Sequence, residues 1–206
     1  MLKIWGRANS NNVKKALWCA EEAGVSYERI DVGGAYGRLD SPEFAALNPN
    51  QQIPVLEDGD LALWESNAIV RYLAARYAPG TLYAADPAER ALADRWMDWT
   101  SINFVPPFVT IFWGLVRTPE AQRDMAAITA AVERAGKLLA IADDQLARQP
   151  FLSGSQLGMG DIPLGTVIHA WFNLPIERRD LPNLARWYDR LLTRPAYAKV
   201  VAQPLS

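Results

Sequence analysis

The hydrophobic period changes once along this 206-residue chain, near residue 80, and that change constrains the fold more than any other feature. Before it, short strand-like runs alternate with helical ones; after about residue 86 everything reads as helix. "LKIW" (2–5) is a short apolar run, and Val13, Ala16, Leu17 and Ala20 then recur at helical spacing until Gly24, a natural stop. "YERIDV" (27–32) alternates as a strand, and "SPEFAALN" (41–48) is a short helix with Ser41 as cap and Pro42 at its first position. "PVLEDGDLALW" (54–64) is a hairpin around Asp58-Gly59, and a helix from Glu65 to Tyr77 closes the unit. The order βαβ, helix, ββα predicts one mixed sheet, parallel across the crossover and antiparallel in the hairpin, with helices laid on it.

"APGTLYAADPAER" carries two prolines and a glycine and is the linker candidate, which divides the chain into an α/β domain over 1–80 and an all-helical domain over 87–206. In the second domain Leu92, Trp96, Trp99 and Ile102 share a helical face until Pro106-Pro107, which should bend or interrupt the run. A second long helix is expected over about 119–148. In "LGMGDIPLG" an acid, Asp161, stands three residues after a possible cap at Gly158, with Leu157 and Ile162 placed to form a hydrophobic staple at the start of a helix running to about 173. Two more short helices follow, broken at Pro195. Trp18 lies opposite the Val13/Leu17/Ala20 face, so the first helix should be covered on both sides, the second cover being the helical domain.

Half of the residues are hydrophobic, enough for a real core, and a net charge of -2 gives no basic footprint for a nucleic acid partner. One cysteine makes no disulfide framework, and neither a signal peptide nor an apolar stretch near the roughly 20 residues of a membrane span is read, so a cytoplasmic, soluble protein is expected.

Residues 1–77 carry the candidate chemistry. Asn9, Ser10, Asn11 and Asn12 precede the first helix, whose free N–H groups and partial positive charge stabilise an anion; a plain helix cap explains the same residues equally well. Pro54 begins a strand, one of the few strand positions proline tolerates. Glu65 and Ser66 open a helix, where a hydroxyl and free N–H groups could take a carboxylate and Glu65 an ammonium, the two ends of an amino-acid group. "NPNQQIP" is a polar loop leading into the proline.

Together with the element order, "NPNQQIPVLEDGDLALWESNAIVRYLAARY" and the helical second half resemble a cytosolic glutathione transferase over nearly the whole chain, a bacterial one with an opening segment like those of the theta, beta and nu classes. The resemblance implies a thioredoxin-like domain that binds glutathione and a helical domain that supplies a pocket for a small hydrophobic electrophile. It makes Pro54 a cis-proline, pairs the Ile53 backbone with the cysteinyl unit, and gives the γ-glutamyl group to Glu65 and Ser66, with Asn12 nearby. Gln52, and with it Gln51 or Asn50, falls near the glycyl end, although Gln51 stands where glycine is common and Gln52 lacks the usual positive charge.

A free thiol has a pKa near 8.5, so such an enzyme must hold glutathione as thiolate, and a donor at a helix N-terminus can do this. No Tyr is placed for it, and Cys19 lies well inside the first helix and reads as structural, which leaves Ser10 and Asn9 as equal candidates. Arg7 could reach the sulfur or the second substrate, and Phe104, Phe108, Phe112 and Trp113 are the candidate apolar lining, although at helical spacing each reads first as core. His169 reads as a satisfied core histidine and Asp161 as part of a cap, with Gly158 where the family has Ser or Thr. The expected activity is alkyl or aryl transfer to glutathione without metal or nucleotide, in a homodimer. Glutathione-dependent disulfide or peroxide reduction, isomerisation, and a non-catalytic binding protein of the same fold are the alternatives.

Overall fold

A computed structural model describes residues 1–205. The N-terminal domain contains β1 (Leu2–Trp5), α1 (Asn11–Glu22), β2 (Tyr27–Ile30), α2 (Pro42–Leu47), β3 (Val55–Asp58), β4 (Leu61–Trp64) and α3 (Ser66–Tyr77). The sheet order is β2-β1-β3-β4, with β1 parallel to β2 and both other pairings antiparallel, as the element order requires. Strand alternation divides the core. Leu2, Ile4 and Leu56 join the large cluster that also takes up α1 and α3, while Trp5 and Val55 face the other way and pack with Val32 and Phe44 of α2. Ser41 caps α2, its hydroxyl accepting from the Phe44 N–H at 3.2 Å.

The C-terminal domain contains α4 (Pro87–Trp99), a π-helical turn (Thr100–Phe104), α5 (Val105–Phe112), a second π turn (Trp113–Arg117), α6 (Met125–Leu146), α7 (Asp161–Asn173), α8 (Pro182–Leu192) and α9 (Pro195–Val200). Two expectations are corrected here. Pro106 and Pro107 do not interrupt the helical run, whatever bend they impose: they follow a π turn, and the helical backbone continues through them. Pro87–Arg117 is therefore one helical run of 31 residues, by length and composition long and apolar enough to cross a membrane; here it packs along α6 and α7. The second long helix starts at Met125 rather than near 119, because Asp124 accepts from the Ala127 N–H at 2.9 Å and residues 120–122 form a separate 3₁₀ turn.

Trp18 is fully buried, as its position on α1 implies. Its ring meets Tyr197 of α9 edge-on at 4.9 Å, and Gly165 of α7 leaves the space for it: a Cβ there would lie 2.5 Å from the indole. The same helix is tied to α9 by Glu22, which accepts from Arg194 at 2.8 and 2.6 Å, and by Lys14, which donates to the Val201 carbonyl at 3.3 Å. Gly165→Ala is therefore expected to destabilise the protein. Overpacking costs about 1–3 kcal/mol, more than the roughly 1 kcal/mol that alanine gains in a helix. Urea unfolding should show a lower midpoint with an unchanged slope; an unchanged midpoint would refute the close fit.

Asp161, fully buried, caps more than its own helix. Its carboxylate accepts from the backbone N–H groups of Leu152 (2.7 Å), Ser153 (3.2 Å) and Gly158 (3.1 Å), and from the Trp187 indole at 3.0 Å. Gly158 cannot return a side-chain bond, and a Cβ there would lie 2.6 Å from that of Ser153, which is why the residue is glycine. Leu157 and Ile162 are both buried in the core. His169 has partners at both ring nitrogens, the Tyr188 hydroxyl at 2.9 Å and the Gln203 carbonyl at 3.1 Å, and burial holds its pKa below the usual value.

Candidate functional site

Sheet register assembles one wall of the site. Trp5 pairs with Val55 and Val55 with Trp64, so the residues just past these pairs, Gly6-Arg7, Pro54 and Glu65, leave the sheet side by side at one edge. The Ile53-Pro54 bond is cis. Gly6 has φ 146°, and a Cβ on it would meet Val13 at 2.4 Å and Ile53 at 3.2 Å, so glycine is required where β1 passes between α1 and that loop. Glu65 holds φ 72° directly before α3, and Gln51 holds φ 53°, the conformation that explains why glycine is common there. Left-handed positions outside glycine cost of order 1 kcal/mol or more and gather at ligand-facing sites.

Two helix N-termini converge on this edge. Ser10 is the N-cap of α1, yet its side chain makes no capping hydrogen bond although serine is among the best caps. The Ser66 hydroxyl at the start of α3 donates to Asn12 Oδ1 at 3.3 Å, joining the two termini. Lys15 reaches the same point: its ammonium, on a side chain almost wholly buried, donates to Ser66 Oγ and Asn67 Oδ1, each at 3.3 Å. Burial lowers its pKa to about 8, against the opposing pull of Glu65. Lys15 was not singled out in the sequence, but a helix covered on both sides has no solvent face, so its lysines must find polar partners inside. Asn48, nearly buried, likewise escaped notice. It donates to the Gln52 carbonyl at 2.7 Å and accepts from the Asn50 N–H at 2.9 Å, fixing the loop ahead of Pro54.

Beside these termini lies a cleft of about 530 Å³, lined on one side by Arg7, Asn9, Ser10, Asn11, Asn12 and Lys15. The other side is Val105, Phe108, Val109, Phe112, Trp113 and Arg117, with Val167. The cleft thus lies between the two domains, with a polar wall from α1 and an apolar one from α5. Phe108, Phe112 and Trp113, three of the four aromatic candidates, line this cleft. Phe104 does not: it is fully buried between Trp99, Phe108 and Trp171, and belongs to the core. It stacks on Phe108 at 5.7 Å, one turn deeper along the same aromatic row. Gln52, Ile53, Pro54, Glu65 and Ser66 stand at the sheet edge next to this cleft rather than in its lining. Asn9 Oδ1 accepts from Arg7 at 2.6 Å. Cys19 is fully buried, and burial pushes its thiol up to about 12, so it is no nucleophile. A cleft of similar size, about 540 Å³, between residues 80–95 and 145–158 contains neither helix N-terminus.

Comparison with known proteins agrees with this architecture. Residues 1–75 match the family described as glutathione S-transferase, N-terminal domain, and residues 125–190 match glutathione S-transferase, C-terminal domain. Glutathione S-transferase GstB of Escherichia coli K12 is 45% identical over 208 residues, covering 100% of both chains. Glutathione S-transferase 4 of Zea mays is 33% identical, covering 97% of this chain and 91% of its own. Among solved structures, the theta class glutathione S-transferase from Xanthomonas axonopodis pv. citri with glutathione bound superposes with a TM-score of 0.95 at 61% identity, covering 100% of this chain and 99% of that one. Matches at both ends of the chain, with relatives covered along their whole length, place this protein in the glutathione S-transferase family.

Proposed function

We propose that this protein is a glutathione transferase in which Ser10 donates to the glutathione sulfur, holding it as thiolate for attack on an electrophile seated against α5. The observation that carries the reading is the serine hydroxyl at the N-terminus of α1: it lines the cleft opposite Phe108 and Phe112 and is not used to cap its own helix. A hydrogen bond to sulfur and the helix dipole both favour the charged thiol. We assign Asn9 to positioning Arg7, whose guanidinium donates to its Oδ1. The relative with glutathione bound supports glutathione as the co-substrate. On this reading the Ile53 backbone beside the cis-proline takes the cysteinyl unit, Glu65 and Ser66 take the γ-glutamyl group with Asn12, and Gln52 stands at the glycyl end. Residues 1–80 form the glutathione-binding domain and 87–206 the electrophile-binding one.

Each component contributes a separable effect. The edge residues bind and orient glutathione, the helix termini with Lys15 stabilise its negative charge, and the aromatic wall holds the apolar partner. We also take the protein as a cytoplasmic homodimer, as the family resemblance implies. The deciding experiment measures glutathione conjugation to chlorodinitrobenzene alongside reduction of a mixed disulfide and of an organic peroxide. Conjugation should dominate; reduction without conjugation would reject the transferase assignment.

A further inference from the structure

Lys15 is a buried ammonium whose hydrogen-bond partners are all neutral. It stands on α1, a helix packed against α3, α7 and α9, and only 4% of the residue is exposed. Its acceptors are Ser66 Oγ and Asn67 Oδ1, each at 3.3 Å, and among the described residues it makes no ion pair. A buried charge is costly unless it is paired, so this arrangement is incomplete. The two acceptors differ in freedom. Asn67 is fixed, its amide donating to the Met97 carbonyl and to Ser101 Oγ, each at 3.1 Å. The Ser66 hydroxyl makes one long bond, to Asn12 Oδ1 at 3.3 Å, and can rotate. Glu65, just ahead of α3, opposes the burial that lowers the Lys15 pKa to about 8. Arg7, from the end of β1, and Arg117, after α5, line the same cleft. Charges on the packed helices are engaged elsewhere: Arg71 of α3 with Asp94 and Asp98, His169 of α7 with Tyr188, and Arg194 and Lys199 of α9 with Glu22 and Glu21. Asp161 of α7 holds backbone N–H groups, and the neighbouring Lys14 donates to the Val201 carbonyl.

We propose that Lys15 is a positioning residue for glutathione, supplying from behind Ser66 the positive charge that the γ-glutamyl carboxylate pairs with, an inference that rests on the glutathione reading and deepens it. Lys15 acts through the Ser66 hydroxyl rather than by touching the ligand. The hydroxyl already accepts from the ammonium, and it turns its own proton from Asn12 Oδ1 to the arriving carboxylate. A hydroxyl whose oxygen accepts from a cation is a stronger donor, so its bond to the carboxylate gains from the charge behind it. The γ-glutamyl end carries one ammonium and one carboxylate. With Glu65 on the ammonium, the charge left over on the protein is that of Lys15, and the ligand carboxylate is its counter-ion. The carboxylate favours charged Lys15, so the bound state holds its proton more tightly than the free one. Affinity is therefore full below pH 8, where Lys15 is already charged, and falls as the free protein loses that proton above it.

The test measures calorimetric binding of S-methylglutathione, which has no thiol to ionise, at pH 7 and pH 9. The wild type should bind about tenfold more tightly than Lys15→Met at pH 7, the gain of a charge-assisted over a neutral hydrogen bond, and only about twofold more tightly at pH 9. Lys15→Arg, charged throughout, should keep about a tenfold advantage at both. The ligand's own ammonium titrates alike in all three proteins and cancels in these ratios. Wild-type binding at pH 8, repeated in buffers of different ionisation enthalpy, should take up about 0.4 proton, a readout that needs no variant. In a Ser66→Ala background Lys15→Met should cost less than about threefold, since the hydroxyl that transmits the charge is gone. A wild-type advantage that does not change with pH, binding without proton uptake, or the same tenfold loss in the Ser66→Ala background overturns the proposal, and continued conjugation then leaves the glutathione reading standing. Failure of the wild type to bind S-methylglutathione at either pH removes the glutathione reading itself and this proposal with it.

Discussion

Ser10→Ala is expected to let the bound glutathione thiol titrate near its free value of about 8.5, where the wild type should ionise roughly two units lower. A charge-assisted hydrogen bond of about 1.5–3 kcal/mol corresponds to one to two pKa units, so one hydroxyl at a helix N-terminus is sufficient. At pH 7 a two-unit rise cuts the thiolate population about twenty-fivefold, but a more basic thiolate is a better nucleophile and regains about eightfold. Ionisation alone therefore lowers conjugation only about threefold, and the lost orientation of the sulfur brings the expected deficit to about tenfold. The thiol titration, read by ultraviolet thiolate absorbance, is consequently the sharper measurement, and the rate deficit should close by about pH 8.5. Asn9→Ala should shift the thiol less, because on this reading Asn9 positions Arg7 through Oδ1, at 2.6 Å, rather than donating to the sulfur. A full shift in Asn9→Ala with none in Ser10→Ala would reassign the sulfur contact to Asn9.

Asp161→Ala should be the most destabilising single change outside the cleft, at about 3–5 kcal/mol. It strips the acceptor from three backbone N–H groups and the Trp187 indole, all gathered around one buried carboxylate. Burial pushes that carboxyl above its ordinary pKa against the pull of its donors, so the carboxylate carries a desolvation cost that its removal returns. The lower half of the range is therefore expected. At roughly 2–4 °C per kcal/mol for a chain of this size, the melting temperature should fall by about 10 °C. Asp161→Asn, which keeps the shape and one acceptor oxygen, should fall between. A loss under about 1 kcal/mol in thermal or urea unfolding would show that the loop at 152–158 is held by other contacts.

Much of this architecture was legible because it depends on local chemistry. Period and punctuation placed β1, α1, the Asp58-Gly59 hairpin and α3 within a residue or two, and the same local signals put Ser41 at the start of α2. Trp18 announced a second cover on α1 because a large apolar ring on the far face of a helix needs one. Errors arose where the backbone left the ideal period. Helical spacing assumes 3.6 residues per turn, and the π turn at 100–104 departs from it without ending the helix, while the one at 113–117 is its last turn. The run continues through Pro106-Pro107, and along it the aromatic row passes from Phe104 in the core to Phe108, Phe112 and Trp113 at the cleft.

The sequence by itself determined the two-domain order, the mixed sheet, and the polar residues at the two helix N-termini, since each follows from neighbours a few positions apart. Only the tertiary structure decided what those termini face. Arg7 and Arg117 are 110 positions apart in sequence and meet across one cleft, and Lys15 reaches Ser66 from a helix whose polar partners belong to α3. The electrostatics of a cleft is a sum over charges from distant segments, and that sum exists only once the domains have packed.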